Sequence, residues 1–132
     1  MRTFDAVLME KIFRQGTSKT PQVTLDPEKG TISLEGRSIL EDTISFYDPI
    51  LKWLNEFIAV PHDITINISF EYFNSTSARI LLMILQTAKE IKKNGKILII
   101  NWYYDENDEN IKESGADFAS LVKEEFNFIP KK

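Results

Sequence analysis

From Ile64 to Tyr72 apolar and polar residues alternate without a break. Ile64, Ile66, Ile68, Phe70 and Tyr72 fall on one side, Thr65, Asn67, Ser69 and Glu71 on the other. A side-chain period of two is that of a β-strand. A strand covered by helices on both faces would be apolar at every position, so the polar set predicts a sheet with helices mainly on one side. Shorter alternations at Thr20–Leu25 and Thr31–Glu35 flank the turn cluster Asp26-Pro27-Glu28-Lys29-Gly30 and predict a β-hairpin. Gly36-Arg37-Ser38 then breaks its second strand. From Thr43 the period lengthens. Tyr47, Ile50, Leu51, Leu54 and Ile58 recur at helical spacing, and Phe46, Trp53 and Phe57 widen the stripe. Asp42 or Thr43 caps the start and Pro61 closes the segment.

A second helix is predicted from Ala78 to Lys93. Ile80, Leu81, Ile84, Leu85, Ala88 and Ile91 form one face, and Leu82 and Met83 add apolar surface beyond it, so this is the most buried helix. Asn94-Gly95 stops it. Lys96–Tyr104 is a further apolar strand, Asp105–Asn110 an acidic loop, and Ile111–Glu125 a weaker helix with Phe118, Leu121 and Val122 inward and Gly115 counting against it. The order ββαβαβα predicts an α/β fold, a single domain with helices mainly on one face of a four-stranded mixed sheet. Strand–helix–strand units require parallel pairing with right-handed crossovers. Residues 1–15 lack a period and read as a loosely ordered N-terminal extension, within which Met9 offers an alternative start; residues 16–130 read as the domain.

Composition narrows the function. A chain of 132 residues with 42% hydrophobic and 27% charged residues is long enough for one proper core. A net charge of -4 without a basic block excludes an electrostatic nucleic-acid binder. The absence of cysteine excludes disulfides, thiolate nucleophiles and zinc–thiolate sites. The longest apolar run, Ile80–Leu85, is far short of the roughly 20 residues a membrane helix needs, and residues 1–14 lack the apolar core of a signal peptide. The expected location is cytoplasmic.

Catalytic patterns fail in turn. His62 is the single histidine and follows Pro61 in a loop, where it reads as a bystander. Neither a Walker loop nor a Gly-x-Gly-x-x-Gly pattern occurs. An EF-hand begun at Asp105 would put Asn110 at the glycine position and Ala116 at the bidentate glutamate position. The acids before the last helix read as solvated charges favouring its positive end. No metal, cofactor or catalytic residue is expected.

Asn74-Ser75-Thr76-Ser77 sits where the alternating strand gives way to the most buried helix. Hydroxyl and amide side chains are good helix N-caps. The same place also tolerates a phosphate, because the first N–H groups of a helix are free and carry partial positive charge. A phosphate there adds about -1.5 to -2 charges and three acceptor oxygens, enough to change which partner docks without unfolding the domain. Three consecutive hydroxyls leave the acceptor open.

Phe73-Asn74-Ser75-Thr76-Ser77-Ala78 resembles the switch segment of STAS domains, the anti-sigma-factor antagonists. Thr20-Pro21-Gln22-Val23, then Gly36-Arg37-Ser38-Ile39-Leu40-Glu41-Asp42, then Asn74–Ser77, then Trp102-Tyr103-Tyr104-Asp105 resemble, in that order, the SiaC family of bacterial regulatory phosphoproteins. The resemblance implies a STAS-like fold and a non-enzymatic partner-switching role in c-di-GMP signalling. By that resemblance a Ser/Thr protein kinase is expected to phosphorylate the protein, a PP2C-type phosphatase to restore it, and the unphosphorylated form to bind a downstream target such as a diguanylate cyclase. The family acceptor follows the asparagine, which maps to Ser75. The family usually has Thr then Ser where this chain has Ser75 then Thr76, so Thr76 is a rival, and Leu40 stands where the family often has Pro. Thr20, Pro21, Arg37, Glu41, Tyr104 and Asp105 are possible partner-binding residues; for Arg37 a phosphate, a partner carboxylate and a surface salt bridge all remain open. The alternative function is a STAS-like domain sensing a small molecule or nucleotide.

Overall fold

The computed structural model describes residues 9–132. Its elements are β1 (Ile12–Arg14), β2 (Gln22–Asp26), β3 (Thr31–Ser38), α1 (Thr43–Ile58), β4 (Ile64–Phe73), α2 (Ser75–Ala88, continued by a tighter turn Lys89–Asn94), β5 (Leu98–Asp105), α3 (Glu109–Val122) and β6 (Asn127–Lys131). The six strands lie side by side in chain order. β1, β2 and β3 pair antiparallel, while β3 to β6 pair parallel. Each helix thus carries the chain one strand further in the same direction. Right-handed crossovers that all advance one way deposit their helices on one face. The buried residues of all three helices accordingly join those of β2 to β5 in a single core.

Two expectations change. The sheet has six strands rather than four, and the order is βββαβαβαβ rather than ββαβαβα. Both added strands lie at the edges, where sequence signals are weakest. β1 is only three residues long and falls within the stretch read as loosely held; residues 1–8 of that extension lie outside the described residues. Trp53 Nε1 also reaches the Glu10 carbonyl at 3.3 Å, so packing rather than pattern holds this segment. β6 contains Pro130, which a strand tolerates only at an edge, where its missing N–H is not needed by a neighbour. Gly36 does not end β3. The strand continues to Ser38: Gly36 takes φ 117°, and between Gly36 and Arg37 the register with β4 shifts by one residue, leaving Glu71 of β4 as the extra, unpaired one.

The uncovered face carries a polar ladder. Ser33, Asn67, Asn101 and Asn127 stand in register on β3, β4, β5 and β6. Asn127 Nδ2 donates to Asn101 Oδ1 at 2.9 Å, Asn101 Nδ2 to Asn67 Oδ1 at 2.8 Å, and Asn67 Nδ2 to Ser33 Oγ at 3.2 Å. On the covered face, Trp102 is fully buried among Phe73, Phe118 and Phe126. It donates its indole N–H to the Ile111 carbonyl at 3.0 Å, which fixes α3 on β5.

Candidate functional site

The parallel strands β3 and β4 end together at Ser38 and Phe73, and α2 begins immediately beyond them. Asn74 caps the helix and ties it to its surroundings. Its Oδ1 accepts from Ser77 N–H at 2.9 Å and from the Thr76 hydroxyl at 3.1 Å. Its Nδ2 donates to the Leu40 carbonyl at 2.9 Å, and its own N–H donates to the Ser38 carbonyl at 2.9 Å. The helix therefore starts at Ser75, three residues before the expected Ala78, because the hydroxyl segment forms its first turn.

The three hydroxyls have different fates. Ser77 is buried, accepts from Ser38 Oγ at 2.7 Å and donates to the Ser38 carbonyl at 3.0 Å. Ser38 Oγ lies 2.6 Å from the buried Tyr47 phenol; with its own proton given to Ser77, it must accept the phenolic one. Burial pushes the Tyr47 phenol up to about 12, partly offset by the bond to Ser38. Thr76 is half-buried and bonded to Asn74. Ser75 is exposed, and its hydroxyl makes no hydrogen bond among the described residues. The helical period explains the pattern. Ser77 continues the buried stripe of Ile80, Leu81 and Ile84, whereas Ser75 continues the exposed stripe of Arg79 and Met83.

Ser75 stands at the rim of a groove of about 360 Å³ between α2 and α3. Phe73, Ala78, Leu82, Phe118 and Leu121 supply its apolar lining, and Arg79 and Asp117 its charges. The off-face apolar surface of Leu82, read in the sequence as further burial of the helix, lines this groove instead. Leu121, expected to pack inward, is instead 61% exposed: α3 is rotated so that Phe118 and Val122 take the core positions.

The remaining candidates gather at the same end of the sheet without forming one cluster. Thr20 bonds Thr17 through their hydroxyls at 2.8 Å in the turn before β2, where Pro21 is buried beside Gly36. Arg37 is exposed and donates Nε–H to the Ser18 carbonyl at 3.2 Å. Glu41 is exposed in the loop that Asn74 anchors through Leu40. Asp42 rather than Thr43 caps α1; the Ser45 hydroxyl and then the Ser45 N–H hold its carboxyl below the ordinary carboxylate range. Tyr104 is core, beneath Lys112, whose Nζ lies 5.6 Å from the ring.

Asp105 Oδ1 accepts from Asn107 N–H at 2.9 Å, and Asp108 Oδ1 caps α3 through Ile111 N–H at 3.0 Å. These acids line an open cleft of about 800 Å³ with Glu71, Glu109 and Lys131. Among the described residues no three metal-ligating side chains converge. His62 stacks on Phe57 at 4.7 Å, in the loop before β4 and thus at the opposite end of that strand from Ser75. No described helix is long and apolar enough to cross a membrane.

Fold and site together define a single-domain mixed α/β protein that presents a free hydroxyl at the mouth of its central helix. Residues 14–131 match the profile of the SiaC family regulatory phosphoproteins, and the chain belongs to that family. Its relatives include an uncharacterised protein of Pseudomonas aeruginosa, 24% identical over 111 residues, covering 83% of this chain and 88% of the relative. The fold matches apo-SiaC from Pseudomonas aeruginosa with a TM-score of 0.84 at 23% identity, over 92% of this chain and 99% of the other. It also matches the crystal structure of the diguanylate cyclase SiaD in complex with its activator SiaC, from the same organism, with a TM-score of 0.85 at 22% identity, over 91% and 99%.

Proposed function

We propose that this protein is a non-enzymatic partner-switching regulator, controlled by reversible phosphorylation of Ser75. A Ser/Thr protein kinase adds the phosphate and a PP2C-type phosphatase removes it. The unphosphorylated form binds and regulates a downstream target, a diguanylate cyclase being the candidate. Membership of a regulatory phosphoprotein family supports the class of function, and the solved complex of a related SiaC with SiaD supports the kind of partner.

One observation carries the choice of residue. Of three adjacent hydroxyls, Ser75 alone is exposed, while Thr76 bonds Asn74 and Ser77 lies inside the Ser38–Tyr47 network. A kinase must bring its γ-phosphate in line with the attacking oxygen, which a buried hydroxyl cannot offer. The doubly charged phosphate then stands at the rim of the apolar groove, where a docking partner would have to desolvate it.

Intact-mass analysis after treatment with the cognate kinase tests this. Wild type gains a single phosphate and Ser75→Ala gains none. Undiminished uptake by Ser75→Ala would transfer the assignment to Thr76.

A further inference from the structure

We propose that Arg79 is the residue that receives the phosphate on Ser75, forming an ion pair along the α2 rim of the α2–α3 groove. This rests on Ser75 being the modified residue. Ser75 and Arg79 are one helical turn apart, the spacing at which side chains on a helix surface meet. Both are exposed and both line the same groove. Arg79 makes no ion pair within 4.0 Å among the described residues. The other charge in the groove, Asp117 on α3, is a single carboxylate.

A phosphoserine dianion outcompetes that carboxylate for the guanidinium. It carries more charge, and its oxygens match the two-pronged Arg fork. The pair then lies along the exposed side of the first turn of α2, between solvent and the apolar lining formed by Phe73, Ala78 and Phe118.

Phosphoserine installed at position 75 during translation makes the test independent of any kinase. Failure of the Ser75→Ala experiment and failure of this proposal are therefore separate results. Titration followed by ³¹P NMR reads the second phosphate ionisation, ordinarily near pH 6. In the otherwise wild-type protein it falls below that value. Arg79→Gln raises it by roughly half a unit or more, and Arg79→Lys restores part of the shift. Arg79 is exposed, so the unmodified Gln variant keeps the wild-type melting temperature. An ionisation unchanged by Arg79→Gln would mean that the phosphate is not held by Arg79, and would overturn the proposal.

Discussion

Tyr47 shows how much a single polar atom depends on its surroundings. Its ring is core, and its hydroxyl starts the chain of bonds that runs through Ser38 and Ser77 to the mouth of α2. Its folded-state phenol ionises near 12, against 10.0 for an ordinary tyrosine. Its contribution to stability is therefore intact below pH 10 and is lost as the pH rises from 10 towards 12, by about 2–3 kcal/mol in all. Urea unfolding at pH 8, 10 and 11 should show wild type losing stability faster over this window than Tyr47→Phe. At pH 8 the variant is weaker by about 1 kcal/mol, the net worth of one buried hydrogen bond. Parallel slopes for the two proteins would contradict the assignment. The sequence reading began the helix at Ala78 and left Ser77 outside it, so neither the burial of Ser77 nor its partners Ser38 and Tyr47, which come from β3 and α1, were legible.

At the scale of the element, α3 carries the clearest conflict between local preference and packing. A glycine within a helix lowers its intrinsic stability by about 1 kcal/mol relative to alanine, and Gly115 counted against this helix for that reason. The structure supplies the compensation. A Cβ at position 115 would lie 2.6 Å from Cδ1 and Nε1 of Trp102, whose indole is locked by neighbouring aromatic rings and by the Ile111 carbonyl. The ring is fully buried, so relief of the clash requires α3 to lift off the sheet. Gly115→Ala should lower stability by about 1–3 kcal/mol despite the better helix former, measured as the shift in urea midpoint. A gain in stability would show that α3 rides higher on the sheet than described.

For the whole molecule, unidirectional winding leaves one sheet face without helices, and there a side-chain ladder links four strands in addition to their backbone pairing. Asn101 is its central link, accepting from Asn127 and donating to Asn67. Asn101→Ala cuts both bonds but leaves its neighbours within reach of water. The expected cost is about 1–2 kcal/mol in urea unfolding rather than the larger penalty of orphaned buried groups. A neutral result would mean that backbone pairing alone holds this face.

The alternation of β4, the periods of α1 and α2 and the hydroxyl segment between β4 and α2 were legible along the chain, because side-chain periodicity reports which face meets the core. The same periodicity announced one bare face of the sheet. Tertiary structure alone decided the two edge strands, the register shift after Gly36, the Gly115–Trp102 contact and the groove beside Ser75. Each depends on residues far apart in sequence meeting in space, and edge strands in particular bury too little to leave a pattern. Sequence placed three hydroxyls at the mouth of α2; the approach of β3 and α1 buried one of them, the Asn74 cap engaged the second, and the third was left open to solvent.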